Sequence, residues 1–427
     1  LTASVTLWPP NPKELESETS SERSTVGETA SAVPTTEVQG TVALFDGVVH
    51  TIAATFDPAE YARMAATYQS SGTKDFIEAG LTVDGTAVGG VGLRLKGNST
   101  LVSLRRGTIT AIVERHEGLA RIEVDRTPCV AYPRVTGPVA LGDEVLVNQQ
   151  ARELGLGSGG FDVLYANLTR GLGLGPDPGA HVMALPYTPL QHALHHAEER
   201  DPLAERLDGI PVVCCSLHSQ LAPVCGGIGE GVRIAYVQVA GGALPVSLSD
   251  TVRTLRGHGL LGVAVAASPC HDGEVQCVGI ASALGWARAA GYEAVVCGVG
   301  PGIVGTGSYL GHGAVGAADA ANAAAALGGS PILAVRISEA DPRERHRGVS
   351  HHTRAVLELC VGRVTAAWPA GTTAPQWLDA REEVDVGDWR KACEGLPLEH
   401  MGRGPDEDPW FFAAAFAAGR LARSLVA

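Results

Sequence analysis

Aromatic residues make up only 5% of this 427-residue chain, and charged residues only 18%. A core with so few rings must be built from Ala, Val and Leu, and the 54 glycines let backbones approach closely. Lys and Arg total 32 against 46 acidic residues, for a formal net charge of −14. That deficit of positive charge argues against a nucleic-acid surface, which would need clustered Lys and Arg, and against docking on anionic lipid. No apolar run reaches the length of a membrane span; the closest, Trp410–Gly419, is short and is followed by Arg420. The nine cysteines are odd in number and contain no C-x-x-C pair. Most lie in apolar runs such as Val212-Val213-Cys214-Cys215, so buried free thiols in a reducing, cytoplasmic compartment are expected. No zinc spacing occurs, so no metal site is expected and no cofactor is indicated. The first residue is Leu1 rather than Met, so the chain reads as processed or partial.

What is present changes character along the chain. Residues 11–40 are rich in Ser, Thr and Glu, and 1–37 read as a disordered linker. From 38 to 104 the pattern is β-rich. Thr41–Leu44 and Val48–Ala53 flank the turn signal Asp46-Gly47, and Phe76–Val83 and Val91–Leu95 form a second hairpin. Between them Pro58–Tyr68 has helical spacing, with Tyr61, Met64, Ala65 and Tyr68 on one face. The elements Val42–Asp46, His50–Phe56, Tyr61 and Gly92-Leu93-Arg94-Leu95-Lys96-Gly97-Asn98-Ser99 resemble the opening of the CotH spore-coat kinase family. That family's nucleotide- and metal-binding groups lie further on, and nothing after Leu104 resembles them. The resemblance therefore implies a truncated segment without kinase activity, and an exported character that conflicts with the cysteines.

The register changes at Arg105-Arg106-Gly107, and the remainder is expected to fold without the preceding residues. Thr108–Glu114, Leu119–Asp125, Cys129–Val135 and Glu144–Asn148 predict a small barrel over 105–150. A connecting segment, 151–208, holds a strand at Phe161–Ala166 and a helix at Pro189–Glu199. From 209 to 400 apolar strand-like runs (Ile210–Cys214, Arg233–Val239, Gly262–Ala267, Ala294–Val299, Ile332–Ile337, Val364–Trp368) alternate with helices (Ser249–Arg256, Ala281–Ala290, Ala314–Ala326, Thr353–Leu359). Continuous apolar strands alternating with helices predict an α/β domain, a mostly parallel sheet covered on both faces. A C-terminal helix is expected within 401–427. The runs Arg105-Arg106-Gly107-Thr108, Gly155–Gly160, Tyr187–Gln191, Leu217–Leu221, Gly300–Gly307 and His346–His352 together are similar to an uncharacterised bacterial family, found in actinobacteria and firmicutes and classed as a domain of unknown function. This implies the architecture and a bacterial origin, and no activity.

Ligands in such sheets bind beyond the carboxyl ends of the strands, and three segments fall there. Gly300, Gly302 and Gly305 satisfy G-x-G-x-x-G after Ala294–Val299, and with Thr306 and Gly307 could cradle a phosphate. Against a dinucleotide fingerprint, Pro301 removes a donor and the helix starts late; close backbone packing is the alternative. Asp341–Thr353 carries Arg343, Arg345 and Arg347 with His346, His351 and His352, which suggests an anion pocket, although Ser350 also suits a helix N-cap. His218-Ser219 follows Ile210–Cys214 without a G-x-S-x-G frame, so a nucleophile competes with a plain cap. Cys270-His271 and the His192, His195, His196 face of the expected helix are weaker candidates for a reactive thiol and a metal. One site shared by His218, Gly300–Gly307 and Arg343–His352 is predicted, with His218, Ser219, His346, His351 and His352 as its proton-transfer or nucleophilic groups. Whether the chain is an enzyme stays open. The leading reading is binding of a phosphorylated small molecule or nucleotide. The alternatives are a non-catalytic assembly protein that oligomerises through the aromatic face of its C-terminal helix, and a hydrolase pairing Ser219 with His351 or His352.

Overall fold

The computed structural model describes residues 2–7, 50–71, 75–94, 104–156, 159–171 and 177–426. The chain divides into two units, residues 1–101 and 102–427. The first is an antiparallel sheet of β1 (Thr2–Leu7), β2 (His50–Phe56), β3 (Phe76–Val83) and β4 (Thr86–Arg94), in that order, with helix α1 (Pro58–Ser71). Met64 of α1 and Ile77 of β3 form its small core. Residues 2–7, inside the segment expected to be disordered, pair with β2; the alternation Thr-Ala-Ser-Val-Thr-Leu suits an edge strand. The expected strand Thr41–Leu44 and the Lys96–Ser99 element lie outside the described residues.

The second unit opens with a closed barrel of β5 (Leu104–His116), β6 (Leu119–Val124), β7 (Thr127–Ala131), β8 (Glu144–Asn148) and β9 (Asp162–Asn167). Ile109, Ile122, Val124, Val145, Val147 and Leu164 fill it. The run at Phe161–Ala166, read as part of a connector, is thus the closing strand, paired with β7 and β8. The expected strand Cys129–Val135 ends at Ala131, because Pro133 opens a short helix, α2 (Pro133–Thr136). A second short helix, α3 (Gln150–Glu153), precedes β9. Pro189–Glu199 is not a helix. Its middle is β11 (His192–Leu194), paired with β10 (Val182–Ala184), and the His196 N–H donates to Glu199 at 2.8 Å to cap a single 3-10 turn. His192, His195 and His196 therefore share no helix face.

The remainder is an eight-stranded sheet whose strands all run parallel. Its strands are β12 (Pro211–Cys215), β13 (Ile234–Val239), β14 (Val263–Ala267), β15 (Val275–Cys277), β16 (Ala294–Val299), β17 (Ser330–Ala334), β20 (Thr365–Pro369) and β21 (Arg381–Val384). The spatial order is β15-β14-β13-β16-β12-β17-β20-β21. Helices α6 (Ile280–Ala289), α7 (Gly316–Ala326) and α8 (His351–Leu359) cover one face, and α4 (Leu221–Ile228), α5 (Asp250–Gly257) and α10 (Pro409–Ser424) the other. A short helix, α9 (Trp389–Ala392), joins α10 in a satellite core. The expected strand Ile332–Ile337 breaks after Ala334. Arg336 turns inward there, and its N–H donates to Thr353 Oγ1 at 3.0 Å instead of to a strand. Ile337–Ser338 (β18) then pairs antiparallel with Gly348–Val349 (β19).

All nine cysteines are free, and all but Cys360 are buried. Among the described residues no helix is long and apolar enough to cross a membrane. The aromatic face of α10, offered above as an oligomer contact, is spent inside the chain: Phe411, Phe412 and Phe416 are buried against Leu217, Trp389 and Cys393. That removes the reason for placing a partner there. The close approach of α4 to α10 depends on glycine. A Cβ on Gly419 would fall on the Val224 carbonyl oxygen, and one on Gly227 on that of Phe416. Gly419→Ala should therefore destabilise the chain by roughly 1–3 kcal/mol through overpacking. Urea denaturation should show a lower midpoint with an unchanged slope, and an unchanged midpoint would refute the crossing.

Candidate functional site

β16, β12 and β17 are adjacent in the sheet, with Gly298 and Ala334 both beside Cys215. β12 is also where the chain's excursion to one side of the sheet ends and that to the other begins, the kind of crevice where open α/β sheets bind ligands. The segments leaving these three strands surround one cavity of about 740 Å³. His218 and Ser219 come from β12, Gly300–Gly307 and His312 from β16, and Arg336, Arg343, Arg345, His346 and His352 from β17; Glu399, His400 and Met401 close the rim. His351 adjoins this wall through its ring contacts with His346 and His352. Arg347 is exposed and off the cavity wall.

The positive charge is organised around Asp341, which is fully buried. Arg343 grips it with Nε and Nη2, both at 2.9 Å, and Arg336 Nη2 reaches it at 3.2 Å. Arg403 lies 3.5 Å from Asp341 and 3.3 Å from Asp408, another buried carboxylate. Burial opposes the charge on Asp341, but hydrogen bonds and the field of Arg343, then Arg336, prevail and hold its carboxyl well below the usual range. Three guanidiniums thus face two carboxylates, leaving positive charge in excess. Arg336 is 2% exposed; Nη1 donates to His352 Nδ1 at 3.1 Å, while its Nε–H has no partner among the described residues. Burial lowers its pKa to about 10, so it stays charged at neutral pH. Arg345 stands exposed at the rim.

The glycine segment is less a cradle than a joint. A Cβ on Gly300 would strike the Ala243 carbonyl oxygen, and one on Gly242 that of Gly300. Ala243 N–H donates to Pro301 O at 2.7 Å and Val304 N–H to Gly241 O at 2.9 Å, while Thr306 N–H is turned to Gly311 O at 2.7 Å. The turn thereby interlocks with the loop after β13, and α7 begins only at Gly316, so no helix N-terminus opens directly from it. Gly302, Gly305, Thr306 and Gly307 still line the cavity.

The histidines divide by what their nitrogens do. His218 Nδ1 lies 3.1 Å from the Val299 carbonyl, which only accepts, so this nitrogen carries the hydrogen. Its Nε2 accepts from Ser249 Oγ at 2.7 Å, and Ser249 in turn caps α5. His218 is a brace with both nitrogens engaged, and burial pushes it down to about 4. Ser219 Oγ lies 3.1 Å from Nδ1 of His400, a histidine other than the His351 and His352 proposed for it from sequence. His400 is buried, stacks on Phe411, and leaves Nε2 without a partner. His346 Nδ1 lies 2.8 Å from Ser350 Oγ, and the same hydroxyl accepts from His352 N–H to cap α8. Arg336, His312 and His400 were not singled out from sequence. The available signal was an arginine inside an apolar run, since such residues are almost never buried unpaired.

Two other cavities carry less chemistry. One, of about 620 Å³, is lined by Trp368, Trp377 and Trp410. The other, of about 700 Å³, lies between barrel and sheet, where Asp272 is tied to Arg134 at 3.0 Å. Cys270, beside His271, is buried and its thiol is pushed up to about 12, which removes it as a nucleophile.

Residues 128–419 match the family described as protein of unknown function (DUF3866), a span that includes every residue of the cavity wall. No curated protein and no solved structure matches the chain.

Burial lowers several histidines together: His218 and His271 to about 4, His346 and His400 to about 3. In the unfolded chain each titrates near 6.5, so below that pH the unfolded state takes up protons that the folded state refuses. Stability is complete above about pH 6.5 and is lost as pH falls toward 4. His218 alone accounts for at most about 3 kcal/mol. Urea midpoints should drop steeply between pH 7 and 5, above the range where ordinary carboxyls titrate. A flat profile there would mean that these rings are not buried in the neutral form.

Proposed function

We propose that this chain, which belongs to the DUF3866 family of proteins of unknown function, binds a phosphorylated small molecule at the carboxyl edge of its parallel sheet. The observation that carries the reading is Arg336, a buried guanidinium on the cavity wall with an unspent Nε–H, in a cluster where positive charge exceeds negative. An unpaired buried N–H on a charged group is costly, and an oxyanion in the cavity would meet the arginines of its wall with strong, charge-assisted bonds. Arg345, exposed at the rim, adds positive charge against the one acid of the lining, Glu399, and the cavity volume suits a nucleotide or sugar phosphate. The glycine turn contributes shape more than donors, which favours a phosphate held by side chains over a dinucleotide held by backbone.

Thermal shift against nucleotides, sugar phosphates and their unphosphorylated counterparts tests this. A phosphorylated compound should raise the melting temperature where its counterpart does not. Arg345→Ala should weaken it roughly tenfold, about 1.4 kcal/mol. Arg347→Ala, off the wall, should leave binding unchanged. If no phosphorylated compound acts, or if both variants behave alike, the reading fails.

The Ser219–His400 contact supports a second reading, a hydrolase. His400 would take the Ser219 proton, but no third group orients its ring through Nε2, and binding without turnover is preferred. If the second reading holds, Ser219→Ala abolishes hydrolysis of a chromogenic phosphate or carboxylate ester; turnover equal in both proteins, or absent from both, sinks it.

A further inference from the structure

We infer that His312, His351 and His352 form a site for a divalent transition metal of the zinc class, at the edge of the cavity. One nitrogen from each ring lies within 4.8 Å of the others. The ring centroids are 3.8 Å apart for His312 and His352, 4.5 Å for His351 and His352, and 5.2 Å for His312 and His351. Two independent parts of the fold bring them together: His312 ends the loop before α7, and the other two open α8.

The state of the nitrogens distinguishes this from ordinary packed histidines. His312 is 5% exposed, and its Nε2 lies 2.9 Å from the Tyr309 carbonyl. A carbonyl only accepts, so Nε2 carries the hydrogen and Nδ1 holds a lone pair. That Nδ1 is buried without a partner among the described residues, and so is Nε2 of His351. A histidine that donates one nitrogen to a backbone carbonyl and leaves the other bare has the arrangement metal ligands adopt. The neighbouring His346 packs at 4.9 Å from His351 and 4.8 Å from His352, and its hydrogen bond to Ser350 keeps it a flank of the site. A tetrahedral ion with N at about 2.0–2.1 Å needs nitrogens roughly 3.4 Å apart, and because His312 and His352 stack with their planes 28° apart, one of these rings must turn for both lone pairs to meet a single ion.

His352 binds at a cost, because its Nδ1 accepts from Arg336. Ligation through that atom frees Arg336 Nη1, while Nη2 keeps its bond to Asp341. Three imidazoles without a carboxylate select zinc, copper, nickel or cobalt over magnesium or calcium. Since His312 and His352 line the cavity, the fourth position would open into it, as in zinc sites that keep a water or substrate ligand. The inference does not depend on what the cavity binds.

The test titrates the chelator-stripped full chain with Zn2+ by calorimetry and with Co2+ by visible absorption, beside His312→Ala and His351→Gln. The expected result is a single strong site with the Co2+ spectrum of nitrogen and oxygen ligands, weakened at least tenfold in each variant while metal-free melting stays cooperative. His351 is partly exposed, so His351→Gln decides alone if His312→Ala fails to fold. Absence of a strong site, unchanged affinity in His351→Gln, or an intense sulfur-to-cobalt band, which would assign the metal to cysteines, overturns the inference.

Discussion

Arg336 leaves β17 with its guanidinium in the protein interior, where a charge must be matched by partners of good geometry or be prohibitively costly. Asp341 is that partner, and most of the carboxyl edge is arranged around it. The strand stops short so that Arg336 can turn, and the chain then folds back as the β18–β19 pair. Ser338 Oγ receives the Asp341 N–H and donates to Asp408, so the knot also fixes the start of α10. Thr353 and His352 take N–H donors from Arg336, which ties in α8. Removing Asp341 would strand the buried Arg336 in low dielectric, so loop, helix starts and cavity wall depend on this pair.

The alternation of strands and helices over 209–400 was legible because buried parallel strands read as unbroken apolar runs. Placing segments at the carboxyl edge needed only strand direction, and that rule drew attention to His218, the glycine turn and the arginine loop. What was hidden in sequence depended on distant partners. β9 reads like any apolar strand, and only closure of the barrel assigns it. Helical spacing at Pro189–Glu199 lost to strand pairing with β10. The rings of α10 look like an unpartnered face until Trp389 and Leu217 are seen against them. His400 carries no local signal, since its partner Ser219 lies 181 residues earlier.

The glycine turn shows how a motif's residues can be used for another purpose. The pattern G-x-G-x-x-G requires only that backbone come close to something. Here that something is largely the loop after β13, where Gly241 and Gly242 are equally crowded. Electrostatics at this edge therefore fall to side chains, which are the groups able to give and take protons or lone pairs as conditions change.

The central position of β12 has a consequence for how the edge assembles. Its segment bonds to groups 81 residues away at Val299 and 114 away at Ala334. Such separations are slow to close, because chain entropy is lost before the contact is gained. The cavity cannot exist in any partly built sheet that lacks β16 or β17. The outermost strands, β15 and β21, are a different matter: they can fray and exchange their amide hydrogens while the central three remain protected, so the wall should persist through fluctuations that open the sheet's margins.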